Sequence, residues 1–248
     1  DFSGYADMAT GLARMFGIIL PQNFNSPYKS TSIIAFWRRW HMTLSRFFRD
    51  YLYLPLGGNR GSDFATLRNL AVVMFLGGLW HGASWNFVLW GLLHGAFLGI
   101  AHGWQALGKE APGRTRLHPL AGWALTMLAV TIAWVPFRAP DLSITLAVWQ
   151  SMAGLEGLGY DAAKAATATL DRAYIAVLPG GLLAAVLLPN VYEILRRYRP
   201  VLHDPEANWS LLRLSWAPGP AWGLAVSAAF LIAILGQTET VEFLYFQF

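Results

Sequence analysis

Two histidines stand where an ionisable side chain is costly to keep. His81, in the run Leu79-Trp80-His81-Gly82, lies 12 residues into a segment from Asn69 to Gly108 that contains no Asp, Glu, Lys or Arg. At a helical rise of about 1.5 Å per residue that depth is roughly 18 Å, close to the middle of a bilayer. His94 repeats the His-Gly pair further along the same segment. An ionisable group at such depth is by default a candidate for function. The competing reading is that each imidazole only hydrogen-bonds a neighbouring helix. Gly77, Gly78 and Gly82 leave little side-chain bulk around His81, which predicts room for another backbone or a substrate chain, walled by Trp80 and Trp85. His102, His118 and His203 fall near predicted span ends or loops and read as interfacial or solvated.

The chemistry open to His81 is narrowed by what is missing around it. His81, His94 and His102 are separated by 13 and 8 residues, and no His-x-x-His or His-x-x-x-His pair occurs, so a di-iron centre lacks its ligands. The chain has no cysteine, which excludes thiolate metal sites and a Cys acyl-enzyme within it. General-base catalysis fits better, because a neutral imidazole can accept a proton at physiological pH. A base without a nucleophile of its own needs a hydroxyl from a second substrate. The expected chemistry is therefore direct group transfer.

The elements that must hold these residues are helices in a membrane. Only 13% of residues are charged, about half the usual share, and the mean hydropathy is +0.40. Asn69 to Gly108 is twice the length of one crossing, so it predicts two helices with a break near Gly82 to Trp85. Leu117 to Phe137, Ala173 to Tyr192 and Leu214 to Thr238 each suit one more, giving about five spans. Pro179, with Gly180 and Gly181, predicts a kink in the fourth. The segments 29–68, 109–116 and 193–213 share one side and hold 14 of the 18 Lys and Arg but six of the 14 acids. By the positive-inside rule that side is cytoplasmic. The basic balance thus serves topology and does not call for nucleic acid. The opening stretch is helix-like, starts at Asp1 and lacks a signal-peptide layout. The expectation is one membrane-embedded domain over residues 1–248, the C-terminal part of a longer protein.

Before the first crossing, Ser30 to Leu54 has apolar residues at 33, 37, 40, 44, 47, 48 and 51, a helical spacing. It predicts one amphipathic, interfacial or re-entrant helix capped by Ser30 or Thr31, with Arg38, Arg39, Arg46 and Arg49 toward phosphate. His41 falls on its apolar side. The following Pro-Leu-Gly-Gly-Asn-Arg-Gly run predicts a tight turn. The fold class expected is all-α, a polytopic transmembrane protein.

The stretches DFSGYADMATGL, NFNSPYKSTSIIAFWRRWHMTLSRFFRDYLYLPLGGNRG and NLAVVMFLGGLWHGASWNFVLWGLLHG, with WVPFRA and the terminal FLYFQF, resemble the membrane-bound O-acyltransferase family. Within it they are most similar to the alginate O-acetylation branch. The resemblance implies a multi-pass inner-membrane protein with no bound cofactor that takes an acyl group from acetyl-CoA or another cytosolic thioester. It implies delivery toward an extracytoplasmic polysaccharide through acetyltransferase or export partners. It also implies that His81 is the essential histidine and that His41 fills a second functional position. On this reading Arg38 and Arg39 meet the donor's phosphates, unless they only anchor lipid headgroups, and Trp85 and Asn86 line the path beside His81. D-alanyl transfer to teichoic acid, a proton-relaying transporter and a non-catalytic scaffold are the alternatives.

Overall fold

The computed structural model describes residues 2–110, 117–155, 172–202 and 208–236; His203, the expected 109–116 loop beyond Glu110, and the terminal FLYFQF lie outside them. Every regular element among the described residues is helical. The chain packs as two units, Ser26–Val186 and Asp1–Asn25 with Leu187–Phe248.

The larger unit is organised around the expected helix, break, helix. The helix α1, Phe2–Met15, belongs to the other unit; α2 and α3 span Ile33–Trp37 and Met42–Phe48, and α4 and α5 span Asp63–His81 and Trp85–Glu110. Ser62 starts α4 by accepting the Ala65 N–H at 3.2 Å. The preceding turn is closed by Asn69, which is buried and donates to the carbonyls of Leu56 at 3.0 Å and Gly58 at 3.1 Å. Gly57 and Gly58 supply the positive φ this reversal needs, at 103° and 56°.

The glycines of α4 and α5 let the two helices touch backbone to backbone. A Cβ on Gly78 would overlap the Phe87 carbonyl and lie 3.4 Å from the Gly91 Cα, and one on Gly91 would overlap the Met74 carbonyl. One on Gly95 would sit 3.3 Å from the Ala71 Cα. Small residues drive this kind of contact between helices in lipid, where lipid tails remove the hydrophobic incentive to pack. Of the two occupants expected for the space around His81, another backbone is found at Gly78, which faces α5, while Gly77 faces the Phe48 ring and Gly82 the Phe87 ring.

Helix α6, Pro119–Arg138, begins with proline at its first position and packs on α5 and α2. Trp123 donates to the Tyr28 carbonyl at 2.8 Å, and a Cβ on Gly122 would meet the Thr31 carbonyl. Helix α7, Leu142–Met152, returns against α6, with Trp149 donating to the Ile132 carbonyl at 3.1 Å. Asp141 caps it: the Ser143 hydroxyl and the Ile144 N–H hold its carboxyl below the usual carboxylate range. The core consists of Ile33, Phe36, Met74, Leu98 and Val130, with a second cluster of Phe87, Trp90, Ala133 and Phe137.

The single helix expected from Ser30 to Leu54 is two short α-helices and a π-turn over Arg49–Tyr53. Its cap is Ser32, which accepts the Ala35 N–H at 3.1 Å, in place of Ser30 or Thr31. The break falls at Arg38 to His41, for tertiary reasons. Trp37 is tied to α5 through His94, and Trp40 stacks on Phe36 at 5.6 Å while meeting Trp134 at 5.1 Å. The Ser45 hydroxyl reaches back to the Trp37 and Trp40 carbonyls.

Helix α8, Arg172–Leu187, continues through Pro179 and ends before Pro189. In the smaller unit, Asn190 begins the short α9, Val191–Ile194, with a reciprocal capping box to Glu193. Asn25 accepts from Asn190 at 3.1 Å and Asn208 at 2.6 Å, and the Leu202 N–H donates to the Leu20 carbonyl. Helix α10, Pro220–Leu235, is apolar along its whole length and buries none of its side chains. Residues Trp85–Leu107 of α5 and all of α6 are long and apolar enough to cross a membrane. Helix α4 carries Asp63 and Arg68 in its first turns, and α8 and α10 have 16 residues each. The described helices thus include two of full spanning length where about five crossings were expected.

Candidate active site

The end of α4 delivers His81 into an aromatic box. Gly82 stops the helix with φ 156° and ψ 163°, a conformation open essentially to glycine alone, and a Cβ there would lie 2.8 Å from the Phe87 ring. Ser84 then starts α5, its carbonyl accepting the Phe87 and Val88 N–H groups. The turn places the rings of Trp80, Trp90 and Phe137 at 4.9, 5.2 and 4.9 Å from the half-buried His81 imidazole, all near perpendicular. Phe87 is 6.0 Å away. Trp80 and Trp90 come from the hairpin itself and Phe137 from the last turn of α6. Three helix ends therefore fix one imidazole.

His41 is brought to the same place by the break between α2 and α3. It takes the left-handed conformation, φ 42° and ψ 55°, and its carbonyl accepts the Ser45 N–H at 2.9 Å. His is one of the non-glycine residues that tolerate this region, though left-handed backbone costs about 1–2 kcal/mol. The turn sets its ring 6.3 Å from Trp80, whose ring also meets His81 at 4.9 Å. Strain at a residue that converges on a candidate base favours a functional cause. Accordingly, in the full-length protein His41→Asn should keep the wild-type membrane level, since Asn also accepts this backbone. His41→Val should lower its unfolding temperature through about 1–2 kcal/mol of added strain. Equal unfolding temperatures for the two variants would contradict the strained geometry.

His94 has a different task. It is 2% exposed, and its Nδ1 accepts the Trp37 indole N–H at 3.3 Å, so in the neutral ring the proton sits on Nε2. Its ring also meets Trp37 at 5.0 Å and Trp90 at 4.9 Å. The hydrogen bond latches α2 onto α5, so the role found for His94 is the structural one.

The remaining expected residues divide. Arg38 is exposed and ends α2, while Arg39 beside it is half-buried. Trp85 is 75% exposed. Asn86 is fully buried, but its amide donates to the Ala139 carbonyl at 2.7 Å and accepts from the Thr145 hydroxyl at 3.4 Å. It joins the start of α5 to the α6–α7 junction. Trp90 was missed: an aromatic at helical spacing in an apolar run reads as ordinary core. His118 caps α6 through Nδ1, accepting the Leu120 N–H. Among the described residues no three His, Asp or Glu side chains gather as a metal site.

A peptidoglycan O-acetyltransferase of Helicobacter pylori is 37% identical over the whole chain, which covers 46% of that protein. A probable alginate O-acetylase AlgI of Pseudomonas aeruginosa is 53% identical over 61% of the chain and 28% of its own length. A teichoic acid D-alanyltransferase of Streptococcus thermophilus is 35% identical over 42% of the chain and 27% of its own. The chain spans less than half the length of each of these relatives. The profile of the membrane-bound O-acyltransferase family matches residues 1–137, the part that contains α1 to α6 and both converging histidines. The chain belongs to the membrane-bound O-acyltransferase family.

Proposed function

We propose that the chain carries the catalytic part of a multi-pass inner-membrane O-acetyltransferase, one membrane-embedded domain that modifies an extracytoplasmic polysaccharide such as alginate. The observation that carries this reading is the convergence of His41 and His81 on Trp80. His81 takes the proton of an acceptor hydroxyl as its oxygen attacks the carbonyl carbon of a thioester, acetyl-CoA or another cytosolic donor. The carbonyl electrons move onto oxygen, then re-form the double bond as the C–S bond breaks, and the leaving sulfur receives the proton from His81. His41 positions a substrate or stabilises the developing charge. Arg38 and Arg39 meet the donor's phosphates, a contact that suits guanidinium. Proteins that export or acetylate the polysaccharide receive the group outside.

The two O-acetyltransferase relatives match more of the chain than the D-alanyltransferase does, which supports acetyl over D-alanyl as the group transferred. The test uses cells lacking the native gene, complemented with the full-length protein. Ester acetate released by mild base from the surface polysaccharide should return. Recovery of D-alanine ester without acetate would favour the second donor class, and recovery of neither would remove the acyl-transfer reading.

A further inference from the structure

The box around His81 contains a buried donor with nothing to donate to. Trp90 is 3% exposed, and its indole Nε1 has no hydrogen-bond partner. Buried polar groups are paired in the great majority of cases, so each exception needs an account. The other indoles packed in this unit show the ordinary outcome: Trp37 donates to His94, Trp123 to the Tyr28 carbonyl and Trp149 to the Ile132 carbonyl. Trp134 Nε1 shares the deficit, but its ring lies 5.2 Å from Phe137 and 5.1 Å from Trp40 and has no ring contact with His81. Around Trp90 the rings of Trp37 and Phe137, at 5.7 and 5.4 Å, have no lone pair to offer, and His94 Nδ1 already accepts from Trp37. The ring stands perpendicular to His81 at 5.2 Å.

We propose that the acceptor for the Trp90 N–H arrives with the substrate: it is the carbonyl oxygen of the acyl thioester, which becomes an oxyanion while His81 holds the acceptor's proton. This inference rests on the acyl-transfer reading and adds to it the group that stabilises the transition state. When the hydroxyl oxygen bonds to the carbonyl carbon, the π electrons move onto that oxygen and the Trp90 hydrogen bond strengthens. When the C–S bond breaks, the charge leaves the oxygen and the bond weakens again. A donor fixed in place by packing needs no reorganisation to do this. Trp90 lies nine residues after His81 on the next helix, held by the same hairpin.

The experiment compares full-length protein in membranes, with acetyl-CoA as donor, for wild type, Trp90→Phe, His81→Ala and a protein with benzothienylalanine at position 90. The last keeps the shape of tryptophan and lacks the N–H, so it remains informative if Trp90→Phe fails to fold. The expected result is a fall in kcat of about 10²-fold with the KM for acetyl-CoA within a few-fold, and, in the benzothienylalanine protein, an unfolding temperature unchanged or raised. A kcat within twofold of wild type in the benzothienylalanine protein, or an effect confined to KM, would overturn the proposal. If His81→Ala is inactive while the position-90 isostere works, only the Trp90 inference fails. If both work, the reading of His81 as the base fails with it.

Discussion

Replacement of His81 by alanine in the full-length protein should lower acetyl transfer by about 10²–10⁴-fold at matched membrane level, the range expected for loss of a general base. The imidazole is half-buried against Trp80, Trp90 and Phe137, and each aromatic contact is worth about 0.5–1.5 kcal/mol. The variant should therefore unfold at a somewhat lower temperature and still insert. His94→Ala is the informative comparison, because it removes an imidazole of the same hairpin whose task is structural. It leaves the half-buried Trp37 indole N–H without its acceptor, at up to about 1–3 kcal/mol, and opens a cavity beside Trp90. Protein level should fall further for His94→Ala than for His81→Ala, and activity per folded molecule should fall less. Ester acetate per unit of folded protein, with unfolding temperatures for both, separates the two. Wild-type activity per molecule in His81→Ala would return that residue to a packing role.

The helical hairpin was legible because its cause is local and large. Forty uncharged residues exceed one bilayer crossing, and the glycine and serine at 82 and 84 are natural places to turn. The reversal at Gly57 and Gly58 was legible for the same reason, since both residues take the positive φ that glycine permits. The break at Arg38 to His41 was not. The apolar spacing of Ser30 to Leu54 continues through it without a proline or glycine, and local propensity favours a continuous helix. What ends the helix is Trp37 tied to His94, 57 residues away, and Trp40 held between Phe36 and Trp134. His41 was thus found as a candidate, but for a position on a helix face that does not form.

The glycines near His81 show a second limit. Absence of side chains is visible in a sequence, while what fills the space is not. Gly77, Gly78 and Gly82 suggested room for another backbone or a substrate chain, and the structure fills that room with the α5 backbone, Phe48 and Phe87. Asn86 is a related case. Nothing in its position five residues after the candidate base announces that its amide ties α5 to the α6–α7 junction. Trp90 carries the opposite lesson, since only the missing partner of its N–H separates it from the other core indoles.

Those close contacts lead to the second large effect. Gly78→Ala and Gly91→Ala should each destabilise the full-length protein by about 3 kcal/mol or more, at the upper end for overpacking. The added methyl meets a backbone carbonyl of the facing helix in both cases, Phe87 for Gly78 and Met74 for Gly91. A side chain can change rotamer to make room, but two backbones can do so only by moving apart. Gly103, on α5 with nothing near its Cβ position, is the control. Gly103→Ala should be neutral or stabilising by up to about 1 kcal/mol, as for an exposed glycine inside a helix. The measurement is the unfolding temperature of the three purified variants in detergent, with membrane level as a second readout. Unfolding of Gly78→Ala at the wild-type temperature would refute the close approach of α4 and α5. Function should follow the same geometry: Gly78 lies three residues before His81 and Gly91 one after Trp90, so helices forced apart carry the base and the indole donor away from each other. Displacement of a reacting group by about 1 Å can lower a rate by 10²-fold. Whatever Gly78→Ala protein does fold should therefore transfer acetyl far more slowly per molecule than wild type, with His41, His81 and Trp90 all still present.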